Sequence, residues 1–140
     1  MKKEDKNQFI ETLIQKLNES NTLYFADVSS MNAEITSQLR RLCFRRNIQL
    51  QVVKNTLLKK AMEQSNKDFS PLYDILKENT SIMFSKSANE PAKLIKEFRK
   101  KSDKPILKGA YVMEMHFIGD DQLDTLVAIK SREELIADIV

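Results

Sequence analysis

The sequence is poor in the residues that build disulfides, metal clusters and phosphate-binding loops. Its 140 residues include one cysteine, one histidine, two glycines and no tryptophan. A single cysteine excludes an internal disulfide and suits a reducing cytoplasm, and one cysteine with one histidine cannot form a zinc cluster. The two glycines, Gly109 and Gly119, lack the spacing of a phosphate-binding loop. These shortages predict a protein without a bound metal or cofactor.

Long apolar runs are also missing. Apolar stretches of about five residues, as in Thr22–Val28, fall far short of the roughly 20 residues that cross a bilayer. The charged first six residues lead into no apolar segment of the kind found in signal peptides. We therefore expect a cytoplasmic protein that makes no membrane contact.

Groups able to perform catalysis are scarce. The one possible nucleophilic pair, Cys43 with His116, would require a helix and a strand to bring the two side chains together. Cys43 falls on the apolar side of a predicted helix and His116 lies in a predicted strand, so packing roles suit both better. The sequence therefore favours a protein that is not an enzyme.

The composition is that of a soluble globular domain, with 41% hydrophobic and 31% charged residues. The length suits one domain, and strand-like segments alternate with helix-like segments along it. This alternation predicts a single layered α/β (α+β) domain over residues 1–130, in which helices pack on a mixed β-sheet. A further, C-terminal helix is expected to start near residue 131.

Hydrophobic periodicity places the individual elements. Helices are predicted over about 6–19, 32–46, 55–62, 71–77, 90–101 and 120–129. Strands are predicted over Thr22–Val28, Ile48–Val53, Thr80–Ser85, Pro105–Met113 and Met115–Ile118, the first of them central. Asn55 or Thr56 is expected to cap its helix, and Ser131 with Glu134 has the spacing of a capping box.

Positive charge is concentrated in one segment. Residues 39–60 contain seven basic side chains and no acidic one, although the whole chain carries a net charge of only +3. An acid-free basic block within a balanced domain favours contact with a polyanion such as nucleic acid. Arg40, Arg41 and Arg45 should form the outward face of a helix, and Phe44 among them is expected to be peripheral core rather than a base-stacking residue.

Five short segments match one known family in order along the chain. Residues 52–61 read VVKNTLLKKA and resemble the V-V-K/R-N-T-L-x-R/K-R/K-A motif of the bacterial ribosomal stalk-base family, ribosomal protein L-ten, which is related to P-zero. The other matching segments are Leu39-Arg40-Arg41, Leu76-Lys77 with Thr80, Ala92-Lys93 with Lys96-Glu97-Phe98, and Ser131–Leu135. The resemblance covers essentially the whole chain. At one family position where arginine is common, this chain has Phe44.

The resemblance implies a non-catalytic scaffold in the large ribosomal subunit. Such a protein binds large-subunit rRNA at the GTPase-associated centre, beside a protein of the L-eleven family. A C-terminal helix in the family carries dimers of the acidic stalk protein L-seven/L-twelve, which recruit translational GTPases. Ser131–Val140 would be only the start of that helix, so the sequence is expected to be a truncated stretch of a longer protein.

The expected RNA-binding residues lie on the second predicted helix, at the start of the third and in one later loop. Arginine can hold phosphates bidentately, and a helix N-terminus favours negative charge. The predicted set is Arg40, Arg41, Arg45, Arg46, Lys54, Asn55, Thr56, Lys59, Lys60, Lys77 and Thr80. No residue is predicted to be catalytic or to bind a metal.

Two other functions remain open on the sequence alone. The terminal amphipathic segment Ile129–Val140 is of the kind that docks into a protein groove, which would make the chain a protein–protein adaptor. An acidic protein partner would also suit the basic block. A small-molecule enzyme is the weakest alternative, because candidate catalytic groups are missing.

Overall fold

A computed structural model describes residues 3–29, 31–78, 80–103 and 105–129. The α-helices within these ranges are α1 (Lys3–Glu19), α2 (Ala33–Arg45), α3 (Asn55–Gln64), α4 (Glu90–Phe98) and α5 (Leu123–Ala128). The strands are β1 (Thr22–Asp27), β2 (Gln49–Val53), β3 (Thr80–Ser85), β4 (Ile106–Val112) and β5 (Met115–Ile118). Two 3-10 helices, Ser70–Ile75 and Asp120–Gln122, complete the described structure.

The strands form one sheet in the order β2-β3-β1-β4-β5, with β1 central as predicted. Helix α2 joins β1 to β2, and α4 joins β3 to β4. In each case the two joined strands are not neighbours in the sheet, because one other strand lies between them. An antiparallel strand fills each gap, which gives a split βαβ arrangement. The predicted α/β class is confirmed. The expectation of a mixed sheet is wrong, because all four described strand pairs are antiparallel.

The sheet is the middle layer of three, because its side chains alternate between two apolar cores. In β1, Tyr24 and Ala26 enter one core, while Leu23 and Phe25 enter the other. Helices α2, α4 and α5 pack on the first face of the sheet. Helices α1 and α3 and the 3-10 helix Ser70–Ile75 pack on the second face. The second and third helices, which carry most of the predicted site, are therefore separated by the sheet.

Helix α2 is fixed at its start by a side-chain cap and along its length by a narrow apolar stripe. The Ile35 backbone N–H donates to Asn32 Oδ1 at 2.8 Å, so Asn32 caps the helix. Leu39 and Cys43 are fully buried in the first core. The opposite side of the helix consequently faces away from the sheet.

Helix α2 ends in a Schellman motif. Asn47 has a φ of 58°, and its N–H donates to the Phe44 carbonyl at 3.2 Å. The N–H of Ile48 donates to the Cys43 carbonyl at 2.8 Å, and Ile48 itself is buried. Asparagine tolerates the left-handed backbone conformation that this motif requires. The motif turns the chain directly into β2.

Several element predictions need correction in detail. The expected helix over 71–77 is the 3-10 helix Ser70–Ile75, and α4 ends at Phe98 rather than near Lys101. Neither Asn55 nor Thr56 caps α3, because Lys54 occupies the capping position without a side-chain bond. The predicted final helix, residues 131–140, lies outside the described residues. No helix in the described ranges is long and apolar enough to span a bilayer.

Candidate nucleic-acid interface

The outward side of α2 carries three arginines and a phenylalanine. We call Arg40, Arg41, Phe44 and Arg45 the α2 face, since all four are exposed. None of the three arginines forms an ion pair within the part of the chain that the structure describes. The prediction that Phe44 is peripheral core is wrong, because its side chain is 84% exposed. The α2 face is thus a cationic surface with one aromatic ring on it.

Arg46 is separated from this surface by its ion pairs. It follows α2 on the side that faces α4, where its Nη1 lies 3.3 Å from Glu90 Oε1. Its Nη2 also pairs with Glu97. Arg46 therefore joins α2 to α4 with both ends of its guanidinium occupied by carboxylates. Its geometry in this structure is that of a brace between helices.

A second group of predicted residues meets at one end of the sheet, where β2 passes into α3. The Asn55 Nδ2 donates to the Glu78 carbonyl at 2.7 Å, which joins the start of α3 to the loop before β3. The Asn55 Oδ1 is buried and has no hydrogen-bond partner among the described residues. Lys54 and Thr56, on either side of Asn55, are exposed. An unused acceptor therefore lies between two residues that can reach a ligand.

Lys108 completes this group and was not predicted. Its Nζ donates to the hydroxyl of Thr80 at 3.0 Å and also to the carbonyl of Lys77. Burial lowers the pKa of Lys108, while the charges of Asp27 and Glu78 oppose that shift. We call Lys54, Asn55, Lys77, Thr80 and Lys108 the sheet-end cluster. The only sequence signal for Lys108 was a charged residue inside the otherwise apolar strand β4.

Within the sheet-end cluster, two predicted residues have very different access to solvent. Thr80 is 1% exposed and accepts from Lys108, so its side chain holds the loop in place. Lys77 is exposed and forms no ion pair with a described residue. Of the two predicted residues in this loop, Lys77 is the one whose side chain is exposed to a partner.

The two remaining lysines lie on α3, on the second face of the sheet. Lys59 and Lys60 are both exposed, and Lys59 Nζ lies 5.7 Å from the centre of the Tyr73 ring. This distance is within the range of a cation–π contact. The predicted residues therefore occupy four places, namely the α2 face, the position of Arg46 between α2 and α4, the sheet-end cluster and α3.

The pair Cys43 and His116 is kept apart by the sheet. Cys43 is buried in the first core, and burial raises the pKa of its thiol to about 11. His116 pairs with Tyr111 across β4 and β5, on the second face, where its ring packs edge-on to Tyr111. Its Nε2 lies 2.6 Å from the Asp68 carbonyl oxygen. The separation supports the interpretation that both residues have packing roles.

The fold and these surfaces define a basic α/β domain suited to a polyanion. Of the seven basic side chains in residues 39–60, only Arg46 is ion-paired to a described residue. Comparison with known proteins agrees with the family resemblance. Residues 1–100 match the family model described as Ribosomal protein L10. The chain therefore belongs to the ribosomal protein L10 family, which is the L-ten family of the resemblance.

Individual relatives support the same assignment over the full chain. The chain is 60% identical to the large ribosomal subunit protein uL10 of Christiangramia forsetii, over 100% of its own length and 81% of that protein. It is 57% identical to uL10 of Flavobacterium psychrophilum, with 100% and 84% covered. It is 33% identical to uL10 of Pseudomonas putida, with 98% and 81% covered.

Proposed function

We propose that this chain is a structural, non-catalytic component of the large ribosomal subunit that binds large-subunit rRNA at the base of the stalk. The observation that carries the proposal is the acid-free block of residues 39–60, whose basic side chains remain at the surface. Only Arg46 among them is neutralised by a described carboxylate. Phosphate contacts supply most of the affinity of proteins for nucleic acid, so exposed unpaired cations are what such binding needs.

The α2 face and the sheet-end cluster would contact RNA in different ways. Arg40, Arg41 and Arg45 are free to turn their planar guanidiniums towards phosphates on a helical backbone. Asn55 is held by Glu78 and its Oδ1 is buried, so Asn55 would act by fixing the backbone from which its exposed neighbours extend. Lys54 and Thr56 would meet the neighbouring phosphates.

The finer assignments come from the family resemblance. The RNA would be the stalk-base region of the GTPase-associated centre, and the neighbouring protein would be of the L-eleven family. A C-terminal helix beginning near residue 131 would carry L-seven/L-twelve dimers and so act indirectly on translational GTPases. The protein would work on the ribosome in the cytoplasm.

Binding across a salt series tests the proposal. The partner is an rRNA fragment that contains the stalk-base helices, compared with a scrambled RNA of equal length. We expect salt-dependent binding that prefers the native fragment. The double variant R40A/K54A should reduce the log–log salt slope by roughly 1.4 to 1.8, because each lost phosphate contact removes about 0.7 to 0.9.

A matched control separates local contacts from net charge. Lys6 on α1 and Lys100 after α4 are exposed and lie outside the basic block. The variant K6A/K100A loses the same charge as R40A/K54A and should keep the parent slope. Equal slopes for all three proteins would remove Arg40 and Lys54 from the interface. Equal affinity of the parent for native and scrambled RNA would overturn the proposed function.

A further inference from the structure

Phe44 lies at the surface, where its aromatic ring contributes little to the stability of the folded domain. Its side chain is 84% exposed, and the other large hydrophobic side chains exposed in the described residues are 41% to 55% exposed. Burial of apolar surface is the main favourable term in folding, so a ring left in water contributes little to the fold. Phe44 has therefore no evident role in the domain by itself.

The neighbours of Phe44 on α2 are cationic. At 100° per residue, Phe44 points away from the buried Leu39 and Cys43. Arg40 precedes it by four positions and Arg41 by three, so both side chains lie next to the ring on the helix surface. The ring is thus flanked by two guanidiniums that no described carboxylate neutralises.

A groove on the side of α2 that faces α4 extends the positive surface. It has a volume of about 300 Å³ and lies between α2 and α4, with Arg41, Arg45 and Lys101 in its lining. The one acidic residue in the lining, Glu97, is paired with Arg46. Phosphates that follow this groove would meet Arg41 and Arg45 of the α2 face.

We propose that Phe44 stacks on an unpaired base of the RNA, while Arg40 and Arg41 hold the phosphates on either side of that nucleotide. This inference rests on the proposed function. An exposed aromatic ring among cationic side chains is an arrangement that binds single-stranded nucleotides. The base must be unpaired, because the major groove of an RNA helix is too narrow for side chains to reach its bases.

A nucleotide suits this surface better than an apolar protein partner. A protein covering the ring would also take Arg40, Arg41 and Arg45 out of water, which is costly unless each charge is paired. A nucleotide supplies a flat face for the ring together with a phosphate on each side. Phenylalanine has no hydrogen-bonding group, so the contact should accept any of the four bases.

Substitutions at Phe44 test the stacking directly, with the full chain and the stalk-base rRNA fragment. We expect F44A and F44L to weaken binding by roughly 5- to 150-fold, since base stacking on an aromatic ring is worth about 1 to 3 kcal/mol per base. F44W should retain the affinity of the parent, because indole also stacks. The salt slope should stay the same in all three, because no charge is removed. Weaker binding with an unchanged salt slope distinguishes a Phe44 variant from an arginine variant, which would also reduce the slope.

Fluorescence gives a second and independent measurement. The parent has no tryptophan, so F44W contains a single indole at the site. Stacking on a base should quench its emission when RNA is added. Because Phe44 is exposed, its variants should unfold at the same denaturant concentration as the parent. A loss of RNA affinity could then not be attributed to unfolding.

Three outcomes would overturn the inference. Parental affinity in F44A would show that the ring does not contact RNA. Parental affinity in F44L would show an apolar contact without stacking. Unchanged RNA binding in F44A, together with lost binding of an L-eleven family protein, would assign the ring to a protein partner. In each of these cases the parent still prefers the native RNA, so the inference about Phe44 can fail while the proposed function is still supported.

Discussion

The α2 face and the sheet-end cluster carry similar charges on very different supports. The side chains of the α2 face extend from a regular helix into solvent, and its arginines pair with no described residue. In the sheet-end cluster, Asn55 and Lys108 bridge separate segments of the chain through Glu78, Lys77 and Thr80. The α2 face has unpaired charges on side chains that are not held in place. The sheet-end cluster has side chains held by hydrogen bonds and fewer unpaired charges. Substitutions in the α2 face should therefore affect binding alone, and substitutions at the bridging residues Asn55 and Lys108 should affect folding as well.

The largest effect on stability is expected at Lys108. In K108M, the buried Thr80 hydroxyl and the Lys77 carbonyl lose their shared donor. Leaving buried polar groups without a partner costs about 1 to 3 kcal/mol, so the free energy of unfolding should fall by that amount. Denaturation in urea measures it. K54M is the matched control in the same cluster and should change stability by less than about 0.5 kcal/mol. Equal stability of the two variants would contradict a bridging role for Lys108.

A smaller effect is expected at Arg46, which is basic but joins α2 to α4. R46A breaks the ion pairs with Glu90 and Glu97, and all three side chains are partly exposed. Such pairs contribute about 0 to 1 kcal/mol, and their contribution decreases with salt. We expect a loss of that size at low salt in urea denaturation, and no change in the RNA salt slope. A slope reduced in R46A would mean that Arg46 leaves its carboxylates to bind phosphate.

The smallest effect on stability is expected at Arg45, one position earlier. R45A removes an exposed side chain from the α2 face, and stability should stay within about 0.5 kcal/mol of the parent. The RNA salt slope should fall by roughly 0.7 to 0.9, because one phosphate contact is lost. R45A should thus reduce the RNA salt slope without reducing stability, and R46A should reduce stability without reducing the slope. Identical behaviour of the two in both measurements would refute the distinction between a free and a paired arginine.

Local sequence patterns were sufficient to predict most elements of the fold. β3 lies at its predicted bounds, Thr80–Ser85, because a run of apolar and β-favouring residues is bounded on both sides by polar ones. The pairing of the strands was not predictable in the same way. Antiparallel neighbours arise here because each crossover skips one strand, and the strand order brings together segments that are distant in the sequence.

The candidate site was predictable in composition and less so in geometry. The acid-free block identified Arg40, Arg41 and Arg45, since the absence of carboxylates is visible in the sequence. The ion pairs of Arg46 were not predictable, because its partners Glu90 and Glu97 lie more than 40 residues away along the chain. The exposure of Phe44 was missed for a related reason. An aromatic residue beside an apolar stripe is usually buried, and only the orientation of α2 on the sheet shows otherwise.

The three-layer arrangement has a consequence for affinity. Since α2 and α3 lie on opposite faces of the sheet, an RNA that touches Arg40 and Lys59 must pass around the sheet. Two contacts held by one folded RNA behave as a bivalent ligand, in which the second contact forms at an effective concentration of up to about the millimolar range. This gain in affinity depends on the folded shape of the RNA as much as on the protein. Unfolding the RNA while keeping every nucleotide would separate the two contacts and leave only their weak individual affinities.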